Sequence, residues 1–324
     1  MNHDTIFSGI NNPDSICYAI SLIQLLFSFQ PIRQTKSKGS LSGIAESFQK
    51  LIEVLSMNER NEIEESAINA LLVKLSNLNS NKQGFSIERQ EDVARYFSSF
   101  ISNIKKEKNA ANDELLNCFQ GSLKNTITGY GDADLIRSEA FYFISLNMRS
   151  RNSGLTTLEQ SLDELTKLNS FELADKGSTR TITKVNKFSV LSRYMIFHLK
   201  RFEFDAESQC TRKLDESYNI PFTLDMKLYM ASPSEGLKEG QELYELGGII
   251  VHEGDADDGH YYTLVRLRPH HIVSPTSEAL EGQWLKLSDS RLTLVEPCDV
   301  PGLAFGGDGG GSAFMVMYER VERE

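Results

Sequence analysis

The sequence predicts an α+β fold. Three observations carry that prediction: apolar residues at helical spacing dominate up to Phe119, short aromatic and β-branched runs dominate beyond it, and the two patterns do not alternate. Regular alternation would indicate a parallel sheet with crossover helices, whereas helices first and strands later indicate α+β.

The elements follow in order. The most apolar run, 16–29, is interrupted by Ser21, Gln24 and Ser28. It is too short and too polar to span a bilayer, so it reads as a buried helix. Ile44, Phe48, Leu51, Ile52 and Leu55 recur at helical spacing, as do Ile68, Leu71, Leu72 and Leu75. A further helix over 91–104 places Val93, Phe97, Phe100, Ile101 and Ile104 on one face. The runs 141–146, 194–199, 244–252, 260–267, 284–287 and 313–318 read as strands, with a helical interruption at 155–165. Stretches 79–84, 203–209 and 232–240 read as surface loops, none long enough to separate independent domains. The glycine cluster 306–311 precedes a strand and lacks a following Lys-Ser/Thr, which makes it a flexible turn rather than a phosphate loop.

Charge and cysteine usage narrow the function. With 34 Lys+Arg against 45 Asp+Glu the net charge is −11, which disfavours nucleic acid and suits a basic partner. Residues 1–15 contain Asp4 and Asp14 but no Lys or Arg, unlike a secretory signal. The four cysteines, Cys17, Cys118, Cys210 and Cys298, are scattered with no paired spacing, so neither a disulfide framework nor a two-pair zinc site is expected. The expectation is an intracellular protein, cytoplasmic or nuclear, with reduced thiols and no membrane association.

Two residues stand out chemically. Cys17 follows a turn-rich polar stretch and opens the apolar run, at the start of a helix. Unpaired backbone donors and the helix dipole favour a thiolate there, although a small buried core cysteine fits the same context. A thiolate nucleophile needs a base. Of the six histidines (His3, His198, His252, His260, His270 and His271), His260 sits where an acidic, glycine-flanked loop meets a strand. It could project into a cleft or simply lie exposed in the loop.

Around these two residues the chain resembles the ubiquitin-specific proteases, the papain-like cysteine deubiquitinases. Their cysteine box, Gly-Leu-x-Asn-x-Gly-Asn-Thr-Cys-Tyr-x-Asn-Ser-x-x-Gln, stands here as residues 9–24, with Gly9, Asn12, Cys17, Tyr18, Ser21 and Gln24 in place. Their histidine box is similar to Tyr244-Glu245-Leu246-Gly247-Gly248-Ile249-Ile250-Val251-His252-Glu253-Gly254 followed by Gly259-His260-Tyr261. Between and beyond the boxes, Gln90-Glu91-Asp92, Leu199-Lys200-Arg201-Phe202, the segment 220–225, Trp284 with Ser288-Asp289-Ser290, and the closing strand 314–318 resemble family landmarks in the family's order.

The resemblance implies one papain-like catalytic domain over 1–324, hand-like, with a helical thumb at roughly 1–112 and fingers and palm at roughly 113–324. It implies that Cys17 is the nucleophile, His260 the general base and Asn12 the oxyanion donor. The partner would be ubiquitin or a ubiquitinated protein, met by a monomer without cofactor. Asp92, Gly259, Tyr261 and the acids of 255–258 would lie near the arginine-rich tail that ends Gly-Gly. The zinc-binding finger cysteines of many relatives are missing, so no metal is expected. The implied reaction is hydrolysis of the isopeptide or peptide bond at the C-terminal glycine of ubiquitin. A weak or inactive ubiquitin-binding relative, or a protease for another ubiquitin-like modifier, are the alternatives.

Two departures bear on that activity. Asp14-Ser15-Ile16 replaces Gly-Asn-Thr, removing a glycine from the loop that aims Asn12, and Ile20 replaces an asparagine. The family's third catalytic position falls on Ser288, with Asp289 next to it. Adjacent strand residues point to opposite faces, so only one of the two is expected to reach His260. The register favours Ser288 as the acceptor, with Asp289 behind it supporting the oxyanion side. A bulge would reverse the pair.

Overall fold

The first apolar run forms helix α1 (Cys17–Phe27), and every one of its residues is buried. In this computed structural model, residues 4–12, 15–34, 43–56, 71, 91–107, 110–129, 133–150, 154–175, 178–205, 209–231, 242–256, 258–273, 279–307 and 310–322 are described. The other helices are α2 (Gln30–Gln34), α3 (Gly43–Ser56), α4 (Val93–Lys106), α5 (Ala110–Phe119), α6 (Leu158–Thr166) and α7 (Val300–Ala304). The strands are β1 (Gly121–Thr128), β2 (Leu135–Phe141), β3 (Ile144–Leu146), β4 (Asn169–Asp175), β5 (Ser178–Val190), β6 (Tyr194–Leu199) and β7 (Phe202–Asp205). They continue as β8 (Cys210–Lys213), β9 (Thr223–Asp225), β10 (Leu243–Gly254), β11 (Gly259–Arg266), β12 (Trp284–Ser288), β13 (Arg291–Val295) and β14 (Ser312–Arg320). Among the described residues, no helix is long and apolar enough to cross a membrane.

The chain divides into two compact units, the first comprising residues 1–117, 201–217 and 247–316. Its strands run β13-β12-β11-β10-β14. Strand β11 is central and its residues Tyr261–Val265 are all buried. Thr263 anchors α1 to it, its hydroxyl donating to Ser21 O at 2.7 Å. Helix α4 starts at the N-cap Asp92, whose carboxylate accepts from the amides of Ala94 and Arg95, and it ends on Lys105 and Lys106. Both ends complement the helix dipole. The apolar face expected over 91–104 is buried in full, and Tyr96 meets Tyr18 of α1 edge-on at 5.4 Å.

The second unit comprises residues 118–200, 218–246 and 317–324. It holds a four-stranded antiparallel sheet, β2-β1-β5-β4, together with the parallel pair β3 and β6. Helix α6 is capped by Thr157, and Ser161 on it accepts from the Tyr218 hydroxyl at 2.7 Å.

The strands expected at 194–199, 244–252, 260–267, 284–287 and 313–318 correspond to β6, β10, β11, β12 and β14. The run 141–146 is two elements: β2 ends at Phe141 and β3 begins at Ile144. The expected loop at 203–209 is a second correction, because residues 203–205 lie in β7. Glu203 pairs with Arg212 across the β7–β8 ribbon, so charges that read as a loop form a cross-strand ion pair. The helix expected around 68–75 lies outside the described residues except for the helical, buried Leu71, and the loops at 79–84 and 232–240 lie outside them as well.

Candidate active site

Cys17 is the first residue of α1 and is 4% exposed. The residue before it, Ile16, has no side-chain cap to give, and the cap comes from further back: Asn12 Oδ1 accepts the Ile16 amide at 3.3 Å. The thiol accepts from the amide of Tyr261 on β11 at 3.5 Å. Burial pushes the Cys17 thiol above its ordinary pKa, and the carboxylate of Asp289 acts in the same direction. The Tyr261 amide opposes them without winning. Burial and Asp289 both act against the thiolate that the helix start favours. Desolvation penalises the anion by more than the few N–H groups return.

His260 is the second residue of β11, and Nε2 of its ring lies 2.9 Å from Ser288 Oγ. The same nitrogen is 3.9 Å from Asp289 Oδ2. The two neighbours thus lie on the same side, contrary to the alternation expected from a continuous strand. Strand β12 stops at Ser288, and Asp289 takes a left-handed backbone (φ 50°) in the tight turn to β13, where strand alternation no longer applies. Asp289 Oδ2 also accepts from Asn12 Nδ2 at 3.3 Å, so one carboxylate oxygen faces both the amide and the imidazole. Burial raises the Asp289 carboxyl above its usual range, against the pull of Asn12 and His260.

Sequence reasoning gave no role to the residues that hold this turn. The Asp289 carbonyl accepts from the Ile10 amide at 3.0 Å and from Gln24 Nε2 at 3.4 Å. Gln24 lies two helical turns after Cys17, on the same side of α1, and that i, i+7 spacing was the available signal. Gly9 permits the approach, since a Cβ there would collide with the backbone of Ser290. In the β10–β11 hairpin, a Cβ on Gly259 would collide with the Glu253 carbonyl and the His252 ring.

The expected tail-contact residues are placed as follows. Asp92 Oδ1 caps α4. Tyr261 is 1% exposed, its ring against His252 at 4.6 Å and Phe314 at 5.6 Å, and its amide is engaged by Cys17. Gly259 pairs with Gly254 to close the β10–β11 hairpin, and Asp255 and Asp258 lie in its loop.

Two other histidines are committed elsewhere. His252 is fully buried, and desolvation together with the Lys213 ammonium lowers it to about 4, so it stays neutral. Burial lowers His271 to about 3. Its Nδ1 accepts the Arg268 amide, which leaves Nε2 to donate to Ser28 O at 2.8 Å. Cys210 and Cys298 are exposed and Cys118 is half-buried. Among the described residues, no group of three or more His, Cys, Asp or Glu could hold a metal.

A family model described as ubiquitin carboxyl-terminal hydrolase matches residues 8–318. The chain is similar to ubiquitin carboxyl-terminal hydrolase 5 of Schizosaccharomyces pombe, at 26% identity over 94% of this chain and 26% of that protein. It is also similar to human ubiquitin carboxyl-terminal hydrolase 34, at 24% identity over 98% of this chain and 10% of that protein. The chain thus spans between about a tenth and a quarter of the length of these relatives. Among solved structures it resembles the SAGA DUB module of Ubp8, Sgf11, Sus1 and Sgf73 bound to monoubiquitin, with a TM-score of 0.74 and 21% identity over 100% of this chain and 71% of that one. The same module bound to ubiquitin aldehyde gives 0.74 and 22% over the same shares. These likenesses establish the fold.

Proposed function

The chain belongs to the ubiquitin carboxyl-terminal hydrolase family, and from that premise we propose that it is a thiol-dependent deubiquitinase, cutting the isopeptide or peptide bond at the C-terminal glycine of ubiquitin. One observation carries the reading. Consecutive residues of β11 serve the two halves of a cysteine–histidine site, Tyr261 donating its amide to Cys17 Sγ while the His260 ring meets Ser288.

The chemistry follows from these positions. Nε2–H of His260 donates to Ser288 Oγ, which fixes the tautomer and leaves Nδ1 as the base. A buried thiol with a raised pKa rests protonated at neutral pH, so attack on the carbonyl requires His260 to take the proton as the carbon–sulfur bond forms. Free Cys17 and His260 share no hydrogen bond. Such bonds are commonly long before substrate binds and tighten in the Michaelis complex. The developing oxyanion is met by the Cys17 amide and by the Asn12 N–H that Asp289 does not hold. Asp289 aims that side chain and, from 3.9 Å, stabilises the imidazolium. His260 then returns the proton to the leaving amine, and water hydrolyses the thioester with His260 again as base. The scattered thiols support an intracellular enzyme, cytoplasmic or nuclear.

Release of a fluorophore amide from the C-terminus of ubiquitin tests this directly. Folded wild-type protein should release it and Cys17→Ala should not. No release from folded protein, release only from another modifier, or release surviving in Cys17→Ala would each contradict the proposal.

A further inference from the structure

Lys213 ends strand β8, yet its side chain is only 4% exposed. An ammonium has three N–H donors, and burying it is costly unless they are used. Here all three are. Nζ donates to Gly254 O at 2.7 Å and His252 O at 3.1 Å, and it lies 3.0 Å from Asp215 Oδ1. Asp215 is held in turn by the Ser312 hydroxyl at 2.8 Å. The two carbonyls are two residues apart on β10, so they point to one side of the strand, and one cation bonds both.

A second contact reaches the same place independently. Phe202 sits directly opposite Lys213 in the β7–β8 ribbon, and opposite residues of an antiparallel pair share a face. Its ring stands perpendicular to the His252 ring at 5.4 Å. One cross-strand pair therefore grips His252 twice, by carbonyl and by ring. On β11, His252 faces Tyr261 and Gly254 faces Gly259, the residues on either side of His260. Gly259 has no room for a Cβ against the His252 ring, so a shift of that ring displaces the strand carrying the base.

We propose that Lys213 is a positioning residue for His260: with Phe202 opposite, its ammonium fixes the end of β10 and thereby the hairpin that aims the imidazole at Ser288 and Cys17. The inference rests on the deubiquitinase reading for its kinetics but not for its geometry, and the experiment separates the two. Lys213→Met keeps the stem and removes the donors. It should lower kcat on a ubiquitin fluorophore amide about tenfold or more, as small misplacements of a catalytic group do, with KM changed less than threefold. The His260 ring resonance in histidine-labelled NMR, assigned by its loss in His260→Gln, should move or broaden. Phe202→Leu should do the same more weakly, and the double variant should lose less than the product of the two singles, because both act through His252.

If Lys213→Met fails to fold, Lys213→Gln supplies two neutral N–H donors for the two carbonyls. It should fall between wild type and Met in kcat and should move the same resonance. A folded Lys213→Met or Lys213→Gln with kcat within twofold of wild type and an unmoved His260 resonance overturns the proposal. If the wild type does not process ubiquitin, the deubiquitinase reading fails by itself, and the His260 resonance alone decides the role of Lys213.

Discussion

Strands β1 and β11 are both eight residues long, and each pairs antiparallel with a strand on either side. They have opposite characters. In β11 the five consecutive residues from Tyr261 to Val265 are buried, with α1 anchored on it, whereas β1 is buried only at Gly121 and is otherwise half-exposed. Every residue placed in the chemistry lies on β11, on its neighbour β12 and the turn after it, at the start of α1 or in the segment leading into it. Burial explains this concentration. The same dehydration that makes β11 a core strand raises the Cys17 thiol and the Asp289 carboxyl and keeps His252 neutral. In β1 and its sheet neighbours, Lys124, Ser138, Glu139 and Lys187 are partly or wholly solvated.

The sharpest way to break this contrast is at Asn12. Asn12→Ala should lower kcat by roughly 10²–10³ with a much smaller change in KM, the size expected for one oxyanion donor. A variant that instead loses thermal stability and keeps its kcat would make Asn12 only the cap of Ile16. Asp289→Ala should also reduce kcat, and its loss should not add to that of Asn12→Ala, because the carboxylate acts partly through the amide it holds. Next in size, Ser288→Ala should cost about tenfold in kcat, less than the roughly 10²–10⁴ expected for loss of the general base that it orients. Ser288→Asp should retain activity.

Stability tests the other side of the comparison. Leu264→Ala, at a fully buried position of β11, should cost about 2–5 kcal/mol in denaturant unfolding. Ile136→Thr, at a position 54% exposed on β2, should stay within about 0.5 kcal/mol. Equal losses would mean that the two sheets are equally integral to the cooperative core.

The smallest effect concerns pH. Because the folded-state pKa of Asp289 is raised, the proton is held more tightly in the fold than in the unfolded chain. Its stabilising contribution is full below the unfolded carboxylate pKa and is lost as pH rises through the folded one. Asp289→Asn, which keeps an oxygen for Asn12 and tolerates the left-handed backbone, should therefore melt higher than wild type at pH 8 while being less active. The gap should close as pH falls below about 4, the ordinary carboxylate value. A variant less stable than wild type at pH 8 would show that the carboxylate is a net stabiliser.

The contrast between the strands also explains what the sequence made legible. Apolar runs such as Tyr194–Leu199 and the core of β11 announce themselves because both of their faces are buried. Strands β1, β4 and β5 went unread because their alternation is diluted by Lys, Asn, Thr and Glu on faces that stay partly solvated. Within the site, Cys17, His260 and Asn12 were visible from motif and context. The left-handed turn at Asp289 was not, because a single backbone angle placed Ser288 and Asp289 on one side of His260, and no residue pattern specifies that angle for an aspartate. The helix-start signal at Cys17 is local in sequence, whereas the Asp289 carboxylate that helps raise the thiol lies more than two hundred positions away.

The most direct test of the central claim is to incubate the folded protein with ubiquitin bearing a C-terminal propargylamide and to map the adduct by mass spectrometry. One ubiquitin should be added, on the peptide containing Cys17. Labelling should survive replacement of Cys118, Cys210 and Cys298 and vanish in Cys17→Ala. No adduct on folded protein, or an adduct on any other cysteine, would contradict the account.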